Sequence, residues 1–229
     1  MILTDAYIFQ GDRGFIRGSI EIKGNVIGDI IPDSQETDGS VSLHGDLVLP
    51  GLVDIHTHGS VGHCFSDGSY EGLVSIGKYM ASHGVTTFLP TSMTLPHEEL
   101  KKAFETAVLY KENRPKDGAK AGGIHMEGPY LSEGRKGSQN GSYLRPPDPY
   151  EFQELSNGCG GMIRIVDVAP ELEGAAEFIR KASSVCKVSV AHTEADHENA
   201  MLAFGSGASH VTHLFNGMSA AHHRQPGVV

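Results

Sequence analysis

The chain has 229 residues, 39% hydrophobic and 20% charged, with 18 basic and 28 acidic side chains and a formal net charge of -10. That balance is ordinary for a globular protein with enough chain for a sizeable core, and it excludes disorder as the default state. With an acidic surplus and no long basic run, no nucleic-acid partner is expected, and no apolar run approaches membrane-spanning length, so no membrane partner is expected either.

The first 49 residues read as β-structure. In SIEIKGNVIGDI, Ile20 and Ile22 alternate with polar residues, Gly24-Asn25 supplies a tight turn, and Val26 and Ile27 resume the apolar pattern of a hairpin. The opening MILTDAYIFQGDRG lacks the basic-then-apolar plan of a signal peptide. Cys64, Cys159 and Cys186 form no CxxC and leave one thiol over, so a reducing, cytoplasmic location is expected.

From Leu47 the pattern changes to apolar runs alternating with helical periodicity, the mark of βα units around a parallel sheet. The runs are LVDIH (52–56), VTTFL (85–89), GGIHM (122–126), IRIVDVA (163–169), VSVAH (188–192) and SHVTH (209–213). Helices are expected in YEGLVSIGKYMASH, in PHEELKKAFETAVLYKEN with Leu100, Phe104, Ala107 and Val108 on one face, in LEGAAEFIRKASS and in EADHENAMLAFGS. Thr193 followed by Asp196 resembles a capping box that starts the last helix just after His192. A complete eight-unit barrel takes about 250 residues. Residues 50–229 supply six strand candidates, so the expected fold is α/β, an incomplete TIM-type barrel, whose open strand edges predict self-association.

Parallel barrels gather chemistry at the C-terminal ends of their strands. Those ends carry His56 and His58, two apart and therefore on one face, then Glu127, His192 and His213. Imidazole nitrogen and carboxylate oxygen are the donors of zinc and similar divalent ions. The donors suffice for one ion or two. His63, His83, His97, His125, His197, His210, His222 and His223 are expected at the surface or behind the ligands, and Cys64 in the core. Strand four, ending IVDVAPE, offers no lysine to bridge two ions, which leaves any bridging to Glu127.

PGLVDIHTHG, GIHMEGPYLSEGRKGSQNG, VSVAHTEA and VTHLFNGMSAAHHRQPG together resemble the N-acetylglucosamine-6-phosphate deacetylase family of the amidohydrolase superfamily, from about residue 45 onward and more weakly before it. The resemblance implies two domains: residues 1–49 as the N-terminal part of a small β-sandwich, and residues 50–229 as the first six units of a metal-binding (β/α)8 barrel. It implies hydrolysis of the acetamide of N-acetylglucosamine 6-phosphate to glucosamine 6-phosphate and acetate. By matching position, Glu127, His192 and His213 are the shared ligands, and His56 and His58 belong to members that hold a second ion; zinc or iron is expected. Asn216 and the Gly217 amide match positions that hold the sugar phosphate, Arg224 matches a phosphate-pairing arginine, and Gln139 stands where some members carry a substrate-contacting histidine. The general-base aspartate of the family follows the eighth strand, and is expected beyond residue 229; neither Asp54 nor Asp167 replaces it, so the chain alone is expected to have little activity. Two alternatives are another amidohydrolase acting on a different amide, and a truncated, non-catalytic chain that binds metal or sugar phosphate.

Overall fold

In a computed structural model, which describes residues 1–33 and 38–229, the alternating apolar residues of the N-terminal segment become strands β1 (Ile2–Phe9), β2 (Phe15–Lys23), β3 (Val26–Pro32) and β4 (Val41–Val48). They belong to the first of two units, Met1–Gly51 and Leu52–Val229. Strand order is β3-β2-β1-β4. The β2–β3 turn places Gly24 at φ 61°, a left-handed conformation that glycine adopts without steric cost. Ala6, Ile8 and Ile20 are buried on one side of the sheet with Ile16, Ile22, Ile30, Leu43 and Val48 packed on them. The described residues of this unit form a single mixed sheet, in which β1 runs parallel to β4 and antiparallel to β2.

The second unit holds β5 (Leu52–Thr57), a two-residue ribbon of β6 (Gly59–Ser60) and β7 (His63–Cys64), β8 (Val85–Ser92), β9 (Lys120–Ala121), β10 (Ile124–Met126), β11 (Ile163–Val168), β12 (Lys187–Val190) and β13 (His210–Val211). Its main sheet runs β13-β12-β11-β10-β8-β5, with β9 paired beside β8. The pairings in that sheet are all parallel, and each new strand adds at the growing edge, as a (β/α) barrel requires. This is an incomplete barrel.

The crossovers carry α1 (Tyr70–Ser82), α2 (His97–Asn113), α4 (Ala175–Ala182) and α5 (His197–Ser206), close to the helices expected from periodicity. A further helix, α3 (Pro149–Gly158), was not expected; Asp148 caps it by accepting from the Tyr150 amide at 2.8 Å, and it buries Phe152 and Leu155. Ring packing joins it to the core: Phe178 lies 4.9 Å from Tyr130 and 5.5 Å from Phe152, centroid to centroid. On α2 the buried face ends in Tyr110, whose hydroxyl donates to the Ala119 carbonyl at 2.6 Å; burial pushes its pKa up to about 12. Gly77 of α1 is required there, because a Cβ would lie 2.0 Å from that hydroxyl.

The expected Thr193 cap is corrected. Asp196 is the N-cap of α5, accepting from the Asn199 amide at 2.9 Å, while Thr193 Oγ1 accepts from the Ala195 amide and donates to Glu171. Asp196→Ala is therefore expected to cost about 1 kcal/mol, which thermal melting reads as a fall of roughly 2–4 °C. Cys64, expected in the core, is half-buried in the small ribbon. Among the described residues no helix is long and apolar enough to cross a membrane.

Candidate metal centre

The strand tips of the second unit converge on one carboxylate. Glu127, one residue past β10, is 1% exposed. Its Oε1 lies 2.8 Å from His213 Nε2, 3.1 Å from His192 Nε2 and 3.5 Å from His56 Nε2, and its Oε2 lies 3.1 Å from His58 Nε2. His56 comes from β5 and His58 follows it, while His192 and His213 stand two residues past β12 and β13. Donor atoms of His56, Glu127 and His213 all fall within 4.8 Å of one another.

Proton bookkeeping shows what this cluster requires. A carbonyl only accepts, so His192 Nδ1 must donate to the Arg135 carbonyl at 2.7 Å, and His58 Nδ1 to the Thr91 carbonyl at 3.1 Å. In the neutral rings the Nε2 lone pairs then face carboxylate oxygens, which repels. Protonating all four rings would set four positive charges around one negative. A cation among the donors removes both difficulties, and the carbonyls fix the tautomer that a ligand needs. Burial opposes the Glu127 charge, yet hydrogen bonds from His192 and His58 in their protonated forms, with the charge of the neighbouring imidazoles, hold it well below the usual carboxylate range. Burial lowers His56 to about 4 against the opposing pull of Glu127, so its imidazole is a neutral donor at neutral pH, and its buried Nδ1 has no partner among the described residues. The residues present fit a divalent ion. Removing such an ion from a sample held at 100 times its Kd withdraws about 2.7 kcal/mol, so chelation is expected to lower the melting temperature by roughly 5–11 °C.

Gln139 is buried against the same carboxylate. The Thr94 amide can only donate, and does so to Gln139 Oε1 at 2.6 Å, which turns Gln139 Nε2 onto Glu127 Oε2 at 2.5 Å. The residue thus clamps the carboxylate.

Two residues that sequence reasoning did not credit lie behind the cluster. His125, set aside there as surface or supporting, is 1% exposed with its ring 4.7 Å from that of His56. The Ile55 carbonyl, 3.0 Å from its Nδ1, and the Asp167 carboxylate, 3.0 Å from its Nε2, both accept, so both ring nitrogens donate and the ring is an imidazolium. Burial disfavours that charge, but Asp167, by charge and hydrogen bond, outweighs it and raises the His125 pKa. Thr212 also donates to Asp167, at 2.9 Å, and exchanges a 2.8 Å hydrogen bond with Ser189. The available signal was the spacing of His125 and Glu127, two apart on a strand and hence on one face. Backbone strain adds to the picture: His192 and His213 sit at φ 44° and 55°, left-handed values rare for residues with a Cβ.

The expected substrate residues are placed variously. The Asn216 and Gly217 amides both donate to the His213 carbonyl, at 2.8 and 2.9 Å, which fastens that turn to a candidate ligand. Arg224 is exposed and lines a cavity of 780 Å³ together with Arg135, Glu194, Asp196, Glu198 and His222. Gln139 does not line it.

A model of the amidohydrolase family matches residues 47–226. The N-acetylglucosamine-6-phosphate deacetylase of Bacillus subtilis is 40% identical over 187 residues, which cover 80% of this chain and 47% of that protein. The human enzyme of the same name is 34% identical over 237 residues, 99% of this chain and 57% of that protein. The chain therefore spans about half the length of these curated relatives. Among solved structures, the D267A mutant of the Mycobacterium smegmatis enzyme, in complex with N-acetyl-D-glucosamine-6-phosphate, superposes with a TM-score of 0.90 at 30% identity, covering 100% of this chain and 59% of that one.

Proposed function

The chain belongs to the amidohydrolase family, and from that premise we propose that it forms part of a metal-dependent deacetylase that hydrolyses the acetamide of N-acetylglucosamine 6-phosphate to glucosamine 6-phosphate and acetate. The observation that carries the hydrolytic reading is the single buried carboxylate of Glu127 ringed by four imidazole nitrogens at strand tips. The substrate is supported by the deacetylases it resembles and by Arg224, whose planar guanidinium suits a phosphate.

In this reading Glu127, His192 and His213, with His56 and His58, hold one or two ions, zinc or iron by donor chemistry. A bound ion supplies Lewis acidity, for the acetamide carbonyl and for the attacking water. The protein's own part is orientation. The Thr91 and Arg135 carbonyls aim the rings of His58 and His192, Gln139 and the Thr94 amide fix the Glu127 carboxylate, and the turn at Asn216 and Gly217 is anchored to the His213 carbonyl. Arg224 and the Asn216 side chain take the sugar phosphate; the Gly217 amide, expected to share it, is already given to the His213 carbonyl.

Calorimetry and acetate assays test this. The metal-loaded chain is expected to bind the phosphorylated acetamido sugar in preference to the unphosphorylated one, and Arg224→Ala to erode that preference about tenfold. Equal affinity for both sugars sinks the substrate assignment. Acetate release with added zinc, iron or cobalt separates a catalytic chain from one that only binds. Homo-oligomerisation belongs to the same proposal, supported by the exposed Leu52, Val53 and Ile55 on β5 at the edge of the sheet; size-exclusion chromatography reads it. A reducing, cytoplasmic location is supported by three free cysteines.

A further inference from the structure

We propose that Arg135 is a second phosphate-pairing residue, whose guanidinium joins that of Arg224 in a two-arginine seat for the phosphate monoester of the amino sugar. The proposal rests on the substrate reading above and adds a residue to it.

Arg135 ends a short 3-10 turn, Glu133–Arg135, and lines the 780 Å³ cavity that Arg224 also lines. Its Nε is buried with no hydrogen-bond partner among the described residues. A buried donor without an acceptor is costly unless a ligand supplies one. Among the described residues neither guanidinium is engaged in an ion pair, although three carboxylates share the cavity wall. Those of Asp196 and Glu194 are committed elsewhere: Asp196 caps α5, and Glu194 accepts from Ser132 Oγ at 3.4 Å. All three carboxylates keep their charge, but none of them forms an ion pair with either guanidinium. Two unpaired planar forks beside one cavity match the oxygens of a phosphate better than any single cation does.

The position of Arg135 ties this seat to the chemistry. Its backbone carbonyl accepts the proton of His192 Nδ1 at 2.7 Å, so one residue aims a candidate metal ligand with its main chain and meets the anion with its side chain. The phosphate seat and the ligand cluster are thereby set at a fixed reach from each other.

The test is calorimetric titration of the zinc-loaded full chain with N-acetylglucosamine 6-phosphate and with N-acetylglucosamine. Arg135→Met, which keeps the apolar stem, is expected to weaken the phosphorylated sugar at least about tenfold and the unphosphorylated sugar less than about twofold. Arg135→Lys is expected to fall between, since it keeps the charge and loses the fork. Zinc affinity of Arg135→Met should stay within about threefold of the parent, because the carbonyl that aims His192 is retained. Parent-like affinity of Arg135→Met for the phosphorylated sugar, equal weakening of both sugars, or loss of zinc each overturns the proposal. If Arg135→Met does not fold, parent-like binding by Arg135→Lys overturns it instead. Selective weakening by Arg224→Ala alone rejects Arg135 and leaves the substrate reading standing, whereas a parent that does not distinguish the sugars rejects both.

Discussion

Glu127→Gln is expected to lower zinc affinity by at least roughly 100-fold, the upper end of what loss of a mere supporting partner costs a metal site. Glu127 is the sole anionic donor among the five converging side chains, and it is the group that every imidazole of the cluster faces. The amide keeps the shape and loses the charge. It also turns either an N–H or a weaker acceptor toward imidazole nitrogens that have already given their Nδ1 protons to carbonyls, as His58 and His192 do. Competition with a chromophoric chelator measures the affinity. Retention of stoichiometric zinc at parental affinity would place the ion elsewhere and dissolve the site.

Asp167→Asn is expected to destabilise the second unit by about 3–5 kcal/mol, a melting shift on the order of 10 °C, because it strips the countercharge from a buried imidazolium. Asp167 is fully buried and His125 nearly so, and their 3.0 Å contact joins β10 to β11. The sign of the pH dependence follows from the raised His125 pKa. Its contribution is fully present below the ordinary value of 6.5 and is lost as pH rises through the higher folded value. In Asp167→Asn that segment of the stability curve should flatten. A change below 1 kcal/mol would mean that His125 is neutral and the pair is an ordinary hydrogen bond. The double change His125→Gln with Asp167→Asn should cost less than the sum of the single changes, since it removes both charges together.

The barrel was legible because its inner strands, β10, β11 and β12, are largely buried on both faces and therefore read as apolar runs. β11 lies within the run at 163–169 and β12 within a residue of the run at 188–192. Where the signal was thin, reading failed. α3 follows a proline-rich segment and presents only Phe152 and Leu155 to the core, too few to show a period. The start of α5 was placed early because Thr193 and Asp196 have capping chemistry, and only geometry shows that Thr193 is committed to Glu171. The side chains around Glu127 could be named from strand ends alone, whereas the groups that hold them could not. The carbonyls of Thr91 and Arg135 belong to no residue type, and the partner of His125 lies 42 residues away in sequence. Gln139 read as a substrate contact, yet its amide is consumed by Glu127 and Thr94.

The left-handed backbone at His192 and His213 bears on any attempt to transplant this centre. Conformations of that kind cost on the order of 1–3 kcal/mol each and persist only where surrounding structure enforces them. Here the enforcement is visible: the His192 carbonyl is tied to the Ser132 amide, and the His213 carbonyl receives two amides from the turn that follows. A designer who copies five donor side chains onto another scaffold inherits none of this. The portable unit is the pair of twisted peptide corners with their fastenings, and without them the same imidazoles would relax away from a common point.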